Sequence, residues 1–148
     1  MQASRDDIEA LNDITKILID GSALYQKAGE LADDANASTA IADVTSERRA
    51  LCSEFQNQVR TLGGDPADDG TVLGASHKGF MSLRSLVDND TKTAVSEVER
   101  GEDYLRDEIK KRLEDKTLSP QVQAFLNDAL SRIRSGHDRI SALKRQYN

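Results

Sequence analysis

Four stretches of this chain place core-facing residues three and four positions apart, which is the spacing of one face of an α-helix. Polar or charged residues interrupt three of these four faces. The predicted inward positions of the second stretch are Ile41, Val44, Arg48, Leu51, Phe55, Gln58 and Leu62. Those of the third stretch are Val95, Val98, Glu102, Leu105 and Ile109. Because a charged side chain in a protein interior is costly unless it is paired, the sequence predicts a helical bundle with a polar centre.

Long helices are permitted because the chain of 148 residues contains only two prolines, Pro66 and Pro120. Each predicted helix combines a stripe of inward positions with charged residues on its other faces. The four predicted ranges are 5–34, 38–62, 91–114 and 120–147. Residues 1–148 are expected to form a single domain, since a chain of this length can bury a substantial core.

Capping residues set the predicted ends of these helices. Ser4 is expected to cap the first helix, with Asp7 three residues later completing a capping box. Ser38 is expected to cap the second helix, and Gly63 is placed to end that helix in the left-handed conformation. Ser119 precedes a proline at the first helical position, so it is expected to start the last helix.

The connections predict how the helices are arranged. Residues 35–37 form a short link, so the second helix should lie antiparallel to the first. Residues 71–87 are predicted to form a crossover helix, which at 1.5 Å per residue is about 25 Å long. Such a crossover returns the chain along the bundle, so that the second and third long helices run parallel. The expected fold is all-α: a ferritin-like four-helix bundle with an additional crossover helix.

The formal net charge of −6 argues against general binding to nucleic acid or to anionic membranes, both of which need a basic footprint. No apolar stretch is long enough to span a bilayer, and the first residues lack the features of a signal peptide. We therefore expect a cytoplasmic protein with neither nucleic acid nor membrane as a partner. Cys52 is expected to be a small core hydrophobe, with a reactive thiol as the alternative.

Several short motifs follow one another in a recognisable order. Asp20-Gly21 with Tyr25 and Ala28 comes first, and Glu99-Arg100-Gly101-Glu102-Asp103 is the most specific element. The others are Leu62-Gly63-Gly64 with Pro66, His77-Lys78-Gly79-Phe80-Met81, and His137-Asp138 with Ile140 and Leu143. The set resembles a bacterial family of small ferritin-like four-helix-bundle proteins that carries a domain-of-unknown-function label. The resemblance covers nearly the whole chain and implies the fold, a bacterial cytosolic setting and an association with stress response, without a settled activity.

Ferritin-like proteins often hold two irons between their helices, but this chain departs from the usual ligand pattern. That pattern takes a Glu from each of two helices and a Glu-x-x-His from each of the other two. The residue three positions before His137 is Arg134 rather than a carboxylate, and the residue three positions after Glu47 is Ala50. The only other histidine is His77. The sequence therefore argues against a conventional di-iron site.

Three interpretations of the inward polar residues remain open. The favoured one is a buried structural cluster in which Arg48 pairs with Glu102 and a tyrosine donates to a carboxylate. Its members are Tyr25, Arg48, Glu102 and His137. The second is a degenerate site for iron or another divalent metal, although the fixed charge of Arg48 repels cations. Its ligands would be Glu47, Glu99, Glu102 and His137. The third is an anion or small-molecule site centred on Arg48.

No catalytic motif of the common hydrolase, nucleotide-binding or zinc-protease types occurs in the sequence. The favoured function is therefore a non-enzymatic structural or interaction protein without a cofactor, with the metal-binding protein as the alternative. A further alternative is a module that binds a partner or forms a homodimer through its helical faces. Its basis is a set of apolar residues in the first helix beyond what one face needs, namely Ile14, Ile17, Leu24 and Leu31.

Overall fold

The structure is a computed structural model that describes residues 2–70 and 91–147. Its helices are α1 (Gln2–Leu31), α2 (Ala35–Thr61), α3 (Thr91–Leu113) and α4 (Pro120–Arg145). The described ranges contain no strand, so the prediction of an all-α fold is confirmed. None of the described helices is both long and apolar enough to cross a membrane. The predicted crossover helix, with His77, lies outside the described residues.

Contacts near the helix ends show how the four helices run. The backbone N–H of Asp34, just after α1, donates to Thr91 Oγ1 at the start of α3 (3.0 Å). Near the other end of the pair, Arg112 of α3 forms a salt bridge with Asp13 of α1 (2.9 Å). α1 is thus antiparallel to α3, and it is also antiparallel to α2, so α2 and α3 run parallel as predicted. Tyr147 follows α4 and donates to Asp34 Oδ2 (2.7 Å), which shows that α4 runs parallel to α1.

The hydrophobic core has two parts, and a polar layer separates them. The first part includes Leu11, Leu51, Phe55, Leu105, Ile109 and Ile133. The second part includes Leu24, Ile41, Val44, Val95, Val98 and Ile140. The boundary between the two falls at Arg48 along α2, at Glu102 along α3 and at Gly136 along α4. Each helix therefore contributes to both parts and crosses the polar layer near its middle.

The start of α1 differs from the prediction. The helix begins at Gln2, before the predicted cap Ser4, so Asp7 lies within the helix and does not complete a capping box. Asp7 Oδ1 instead accepts a hydrogen bond from the backbone N–H of Ser119 (2.9 Å). The Ser119 side chain in turn accepts from the N–H of Val122, so the predicted cap of α4 is confirmed.

The start of α2 also differs, because Asp34 rather than the predicted Ser38 is its N-cap. Asp34 Oδ2 accepts from the backbone N–H of Ala37 (3.0 Å). Ser38 lies inside the helix and donates its hydroxyl to the carbonyl oxygen of Gly29 in α1 (3.0 Å). At the other end of α2, Gly63 has the predicted left-handed backbone, with φ of 83°.

The inward stripes of α2 and α3 are largely as predicted. All five inward positions predicted for α3 are buried. The α2 stripe is buried as far as Phe55, but it then continues to Val59 rather than to Gln58, which is half-buried. The helical repeat of 3.6 residues permits either step, and contact with the core decides between them.

The extra apolar residues of α1 have partners within the same chain. Ile14, Ile17 and Leu24 are all buried in the core, and Leu31 is half-buried. Two neighbouring helices, α2 and α3, pack against α1, so α1 buries a wider face than one neighbour would need. The argument that these residues are surplus and available for a dimer is therefore wrong, and the homodimer stays a prediction without that support.

Candidate functional site: a buried polar cluster

All four helices contribute to one polar cluster at the middle of the bundle. Tyr25 comes from α1, Arg48 from α2 and Glu102 from α3, and their exposed fractions are 1 %, 2 % and 0 %. α4 contributes the backbone carbonyl oxygen of Arg132. We call these three side chains and this carbonyl the central cluster.

Arg48 and Glu102 form the ion pair of the central cluster. The Arg48 Nη2 atom lies 3.0 Å from Glu102 Oε1, and Arg48 Nε donates to Oε1 and Oε2 at 3.1 and 3.2 Å. Nη2 also donates to the carbonyl oxygen of Arg132 (3.3 Å). Arg48 therefore binds both oxygens of the carboxylate through charge-assisted hydrogen bonds, which are stronger than those between neutral groups.

Tyr25 completes the hydrogen bonding of the buried carboxylate. Its hydroxyl donates to Glu102 Oε2 at 2.8 Å. Burial, together with the negative charge of Glu102, raises the pKa of Tyr25 well above its usual value, so the hydroxyl keeps its proton. Burial also raises the pKa of Glu102, while the charge and hydrogen bonds of Arg48 and the hydrogen bond of Tyr25 oppose that rise. The cluster therefore consists of a fixed cation, a carboxylate and a neutral donor.

Two glycines inside helices make room for the central cluster. A Cβ atom at Gly136 of α4 would lie 2.4 Å from Arg48 Nη2 and 3.0 Å from Glu102 Oε1. A Cβ atom at Gly101 of α3 would lie 2.6 Å from Tyr25 Cε1 and 2.7 Å from its hydroxyl oxygen. Any side chain at either position would overlap the cluster.

Sequence reasoning did not identify the spacing role of these two glycines. The available signal was their position inside predicted helices, where glycine is about 1 kcal/mol less favourable than alanine. Gly101 directly precedes Glu102, and Gly136 directly precedes His137. Glycine in a helix interior beside an inward polar residue indicates a close approach, but it does not tell which side chain approaches.

The structure brings together Tyr25, Arg48 and Glu102, and it places His137 at the edge of this group. His137 Nε2 lies 2.7 Å from Asp103 Oδ1, and its Nδ1 faces Asp138 at 3.5 Å. The imidazole is partly exposed, and no hydrogen bond joins it to the central cluster among the described residues. Its position one residue off the inward stripe directs it to the seam between α3 and α4 instead of the bundle centre.

The alternative metal ligands are separated and have other partners. Glu47 contacts Arg139 near the surface (3.4 Å). Glu99 accepts hydrogen bonds from Ser141 (2.5 Å) and from Lys144 (3.0 Å). Each of these carboxylates therefore binds a group of α4 instead of facing the centre of the bundle.

The residues of the bundle centre do not fit the di-iron site that a ferritin-like fold implies. Within residues 2–70 and 91–147, no three His, Cys, Asp or Glu side chains form a group that could hold a metal ion. Glu102, the carboxylate of the centre, is bound on both oxygens by Arg48. A metal ion at Glu102 would face the fixed positive charge of that guanidinium at contact distance.

A free small molecule does not fit beside Arg48 either. The space around the pair, lined by Leu18, Tyr25, Gly101 and Leu105 among others, has no room even for a water molecule. The third interpretation, an anion or small-molecule site at Arg48, therefore has no cavity among the residues that the structure describes.

Cys52 lies at the edge of the core, four residues after Arg48 in α2. It is 8 % exposed, and burial raises the pKa of its thiol. Together with Ile19 and Arg49, it lines a surface cavity of about 460 Å³ between α1 and α2. A buried, protonated thiol is the state expected of a small core hydrophobe.

Comparison with known proteins identifies the family. The family model described as "Domain of unknown function (DUF2383)" matches residues 6–115. The chain belongs to the DUF2383 family. The matched residues include Tyr25, Arg48 and Glu102 of the central cluster. A comparison with curated proteins gives no match.

A solved structure shares the fold of this DUF2383 protein. It is a mutant of Dps1 from Mycobacterium smegmatis, which aligns with a TM-score of 0.77 over 96 % of this chain and 97 % of the other. The sequence identity is 14 %, so the likeness concerns the fold alone. Together with the parallel α2 and α3, it confirms the ferritin-like four-helix bundle.

Proposed function

We propose that this protein is non-enzymatic and that its central cluster holds the four helices together instead of binding a metal. The observation that carries the proposal is the Arg48 guanidinium, which is buried at the centre of the bundle and paired with Glu102. The cation needed to neutralise the buried carboxylate is thus part of the chain. A ferritin-like bundle built this way serves as a scaffold.

The electrostatics of the centre support this proposal. A buried carboxylate is tolerated when opposite charge and hydrogen bonds satisfy it, and Glu102 receives both from Arg48 and Tyr25. Adding a divalent cation next to the guanidinium would place two positive charges in a low-dielectric site. Metal binding at this point would require Arg48 to leave the core.

An association with stress response belongs to the same proposal, and the family resemblance is its only support. A scaffold without a catalytic centre acts through contacts with other molecules, so its partners define its role. A homodimer is one such contact, and the mass in solution from light scattering after size exclusion would test it. A monomer across a wide concentration range would count against the dimer.

Metal analysis tests the proposal directly. The protein is purified without a metal-affinity tag, its metal content is measured by mass spectrometry, and the apo protein is titrated with Fe²⁺ under argon and then in air. We expect far less than one metal ion per chain and no saturable iron uptake.

Two variants identify where any bound iron sits. Glu102→Gln removes the central carboxylate charge, and Glu54→Gln removes the charge of a half-exposed carboxylate outside the candidate ligands as a matched control. Stoichiometric iron that Glu102→Gln abolishes and Glu54→Gln retains would overturn the proposed function. Iron that both variants retain would place any binding outside the central cluster and would leave the structural role of Arg48 unchallenged.

A further inference from the structure

We propose that Glu102, Tyr25 and the carbonyl of Arg132 form a binding site for a planar, forked cation, and that the chain fills this site with its own Arg48 side chain. The inference rests on the proposed function, because it assigns a ligand class to a centre that does not hold metal. It predicts that the site persists when the side chain of Arg48 is removed.

The acceptors of this site are arranged for a guanidinium. Both oxygens of Glu102 accept from Arg48 Nε, and Nη2 lies 3.0 Å from Oε1 as the second atom of the ion pair. A third acceptor, the carbonyl oxygen of Arg132, receives the hydrogen bond that Nη2 donates, at 3.3 Å. These three acceptors bind two different nitrogen atoms held in one plane, which a guanidinium supplies, whereas an ammonium is a compact point charge.

The walls of the site do not depend on Arg48. Tyr25 holds Glu102 Oε2 from α1 at 2.8 Å, so the carboxylate keeps one fixed partner when the guanidinium is absent. The missing side chain at Gly136 leaves the space that Nη2 occupies, since a Cβ there would come within 2.4 Å of that atom. Glu102 is 0 % exposed and Tyr25 1 %, so a ligand in this site is enclosed.

The fragment that fits the vacated site follows from the covalent structure. The substitution Arg48→Ala keeps Cβ and removes Cγ, Cδ and the guanidinium, which together equal one molecule of N-ethylguanidinium. Ethylammonium has the same charge and the same two carbons but lacks the fork. The pair of ligands therefore separates recognition of a planar fork from recognition of charge.

The experiment measures the thermal midpoint and the calorimetric affinity of Arg48→Ala with each ligand, at a total ionic strength held constant with NaCl. We expect saturable stabilisation by N-ethylguanidinium and an affinity about tenfold or more above that of ethylammonium, the ratio expected for losing one charge-assisted hydrogen bond. In the wild type Arg48 fills the site, so neither ligand should raise the thermal midpoint. The double variant Arg48→Met/Glu102→Leu fills the space with apolar side chains and lacks the carboxylate acceptor. Its thermal midpoint should therefore also stay unchanged on adding either ligand.

Several outcomes would overturn the proposal. Equal effects of the two ligands would show a charge-only site, and stronger stabilisation by Mn²⁺ alone would show a latent metal site. If Arg48→Ala does not fold by itself, recovery of its helical circular dichroism on adding N-ethylguanidinium is the readout, and failure to recover overturns the inference. If N-ethylguanidinium has no effect and the wild type is free of iron, the proposed function stands and this inference fails. Stoichiometric iron in the wild type that Glu102→Gln abolishes would overturn both.

Discussion

Arg48 and Glu102 illustrate that the cost of removing a buried charge depends on what remains behind. Each is at most 2 % exposed, and each satisfies the other. Removing one partner leaves an uncompensated charge in the core, whereas replacing both with apolar groups of similar volume leaves none. The two kinds of substitution therefore separate the penalty for an orphaned carboxylate from the net contribution of the pair.

We predict that Arg48→Ala lowers the free energy of unfolding by about 3–5 kcal/mol, because Glu102 then remains buried without its cation. The double variant Arg48→Met/Glu102→Leu should lose far less. Urea unfolding followed by circular dichroism measures both. If the single variant unfolds at the wild-type urea midpoint, the central ion pair does not hold the bundle together.

Gly101 and Gly21 provide a matched pair of substitutions that face the same tyrosine. A Cβ at Gly101 would lie 2.6 Å from Tyr25 Cε1, whereas a Cβ at Gly21 would lie 3.8 Å from Tyr25 Cζ, an ordinary contact distance. We predict that Gly101→Ala destabilises the protein by about 1–3 kcal/mol through overpacking. Gly21→Ala should be neutral or stabilising by up to about 1 kcal/mol, since alanine favours a helix interior. Equal urea midpoints for the two variants would contradict the close approach at Gly101.

At the scale of elements, the four helix ends that meet at one end of the bundle share a small number of polar groups. Asp34 follows α1, caps α2 through the N–H of Ala37, and accepts a hydrogen bond from Tyr147 beyond α4. Thr91 at the start of α3 accepts from the backbone N–H of Asp34. The cap of α2 is therefore also the junction of all four helices.

We predict that Asp34→Ala lowers the free energy of unfolding by about 1–2 kcal/mol, since it removes an N-cap acceptor. Asp33→Ala is the matched control, because Asp33 is exposed and contacts Thr91 through its backbone N–H. The control should stay within about 0.5 kcal/mol of wild type. Chemical denaturation of both variants checks this, and equal losses would show that the Asp34 side chain is not the cap.

At the scale of the whole molecule, carboxylates on α2 and α3 join these helices to α4. Glu54 of α2 binds Arg132 with two hydrogen bonds (2.9 and 2.7 Å), which lower the pKa of Glu54. Partial burial alone would raise the pKa of Glu99 in α3, but hydrogen bonds from Ser141 and Lys144 and nearby positive charge lower it overall. Both residues bind these partners in their ionised form.

We predict that the protein loses stability as the pH falls through the acid range. A carboxyl group with a lowered folded-state pKa stabilises the fold above its unfolded pKa, and this contribution disappears as the pH falls through the folded value. For Glu54 and Glu99 the loss therefore begins near the ordinary value of 4.5 and continues below it. The pKa of Glu102 is raised, so its contribution to the stability of the fold increases as the pH falls.

Urea unfolding at a series of pH values between neutrality and the acid range measures this dependence. Glu99→Gln should be less stable than wild type at neutral pH and should show a flatter decline on acidification. A wild-type stability that rises continuously on acidification would show that the raised pKa of Glu102 outweighs the two surface carboxylates.

The sequence predictions are correct where they depend on residues close together in the chain, and they fail where contacts between distant residues decide the structure. The inward stripe of α3 and the cap at Ser119 depend on residues a few positions apart, and both are confirmed. The predicted N-cap of α2 is wrong because Asp34 and Ser38 are both suitable capping residues. Contacts with other parts of the chain decide between them: Ser38 donates to Gly29, and Asp34 accepts from Tyr147. The prediction that α1 has surplus apolar residues for a dimer is wrong. These residues pack against two neighbouring helices, and the sequence pattern of one helix does not show how many neighbours it has.

By itself, the sequence determined that the chain forms amphipathic helices with charge on their inward faces, because helical periodicity and capping are local properties. It also determined that such charge needs partners. The sequence favoured a pair of Arg48 and Glu102 as one of three interpretations. Only the tertiary structure showed this pair, with Tyr25 on the same carboxylate, a carbonyl of α4 as a further acceptor, and the space that Gly136 leaves. These contacts join residues more than fifty positions apart, and their distances depend on how the helices cross. The proposal that the centre is a site for a planar cation depends on that geometry, which no local sequence pattern determines.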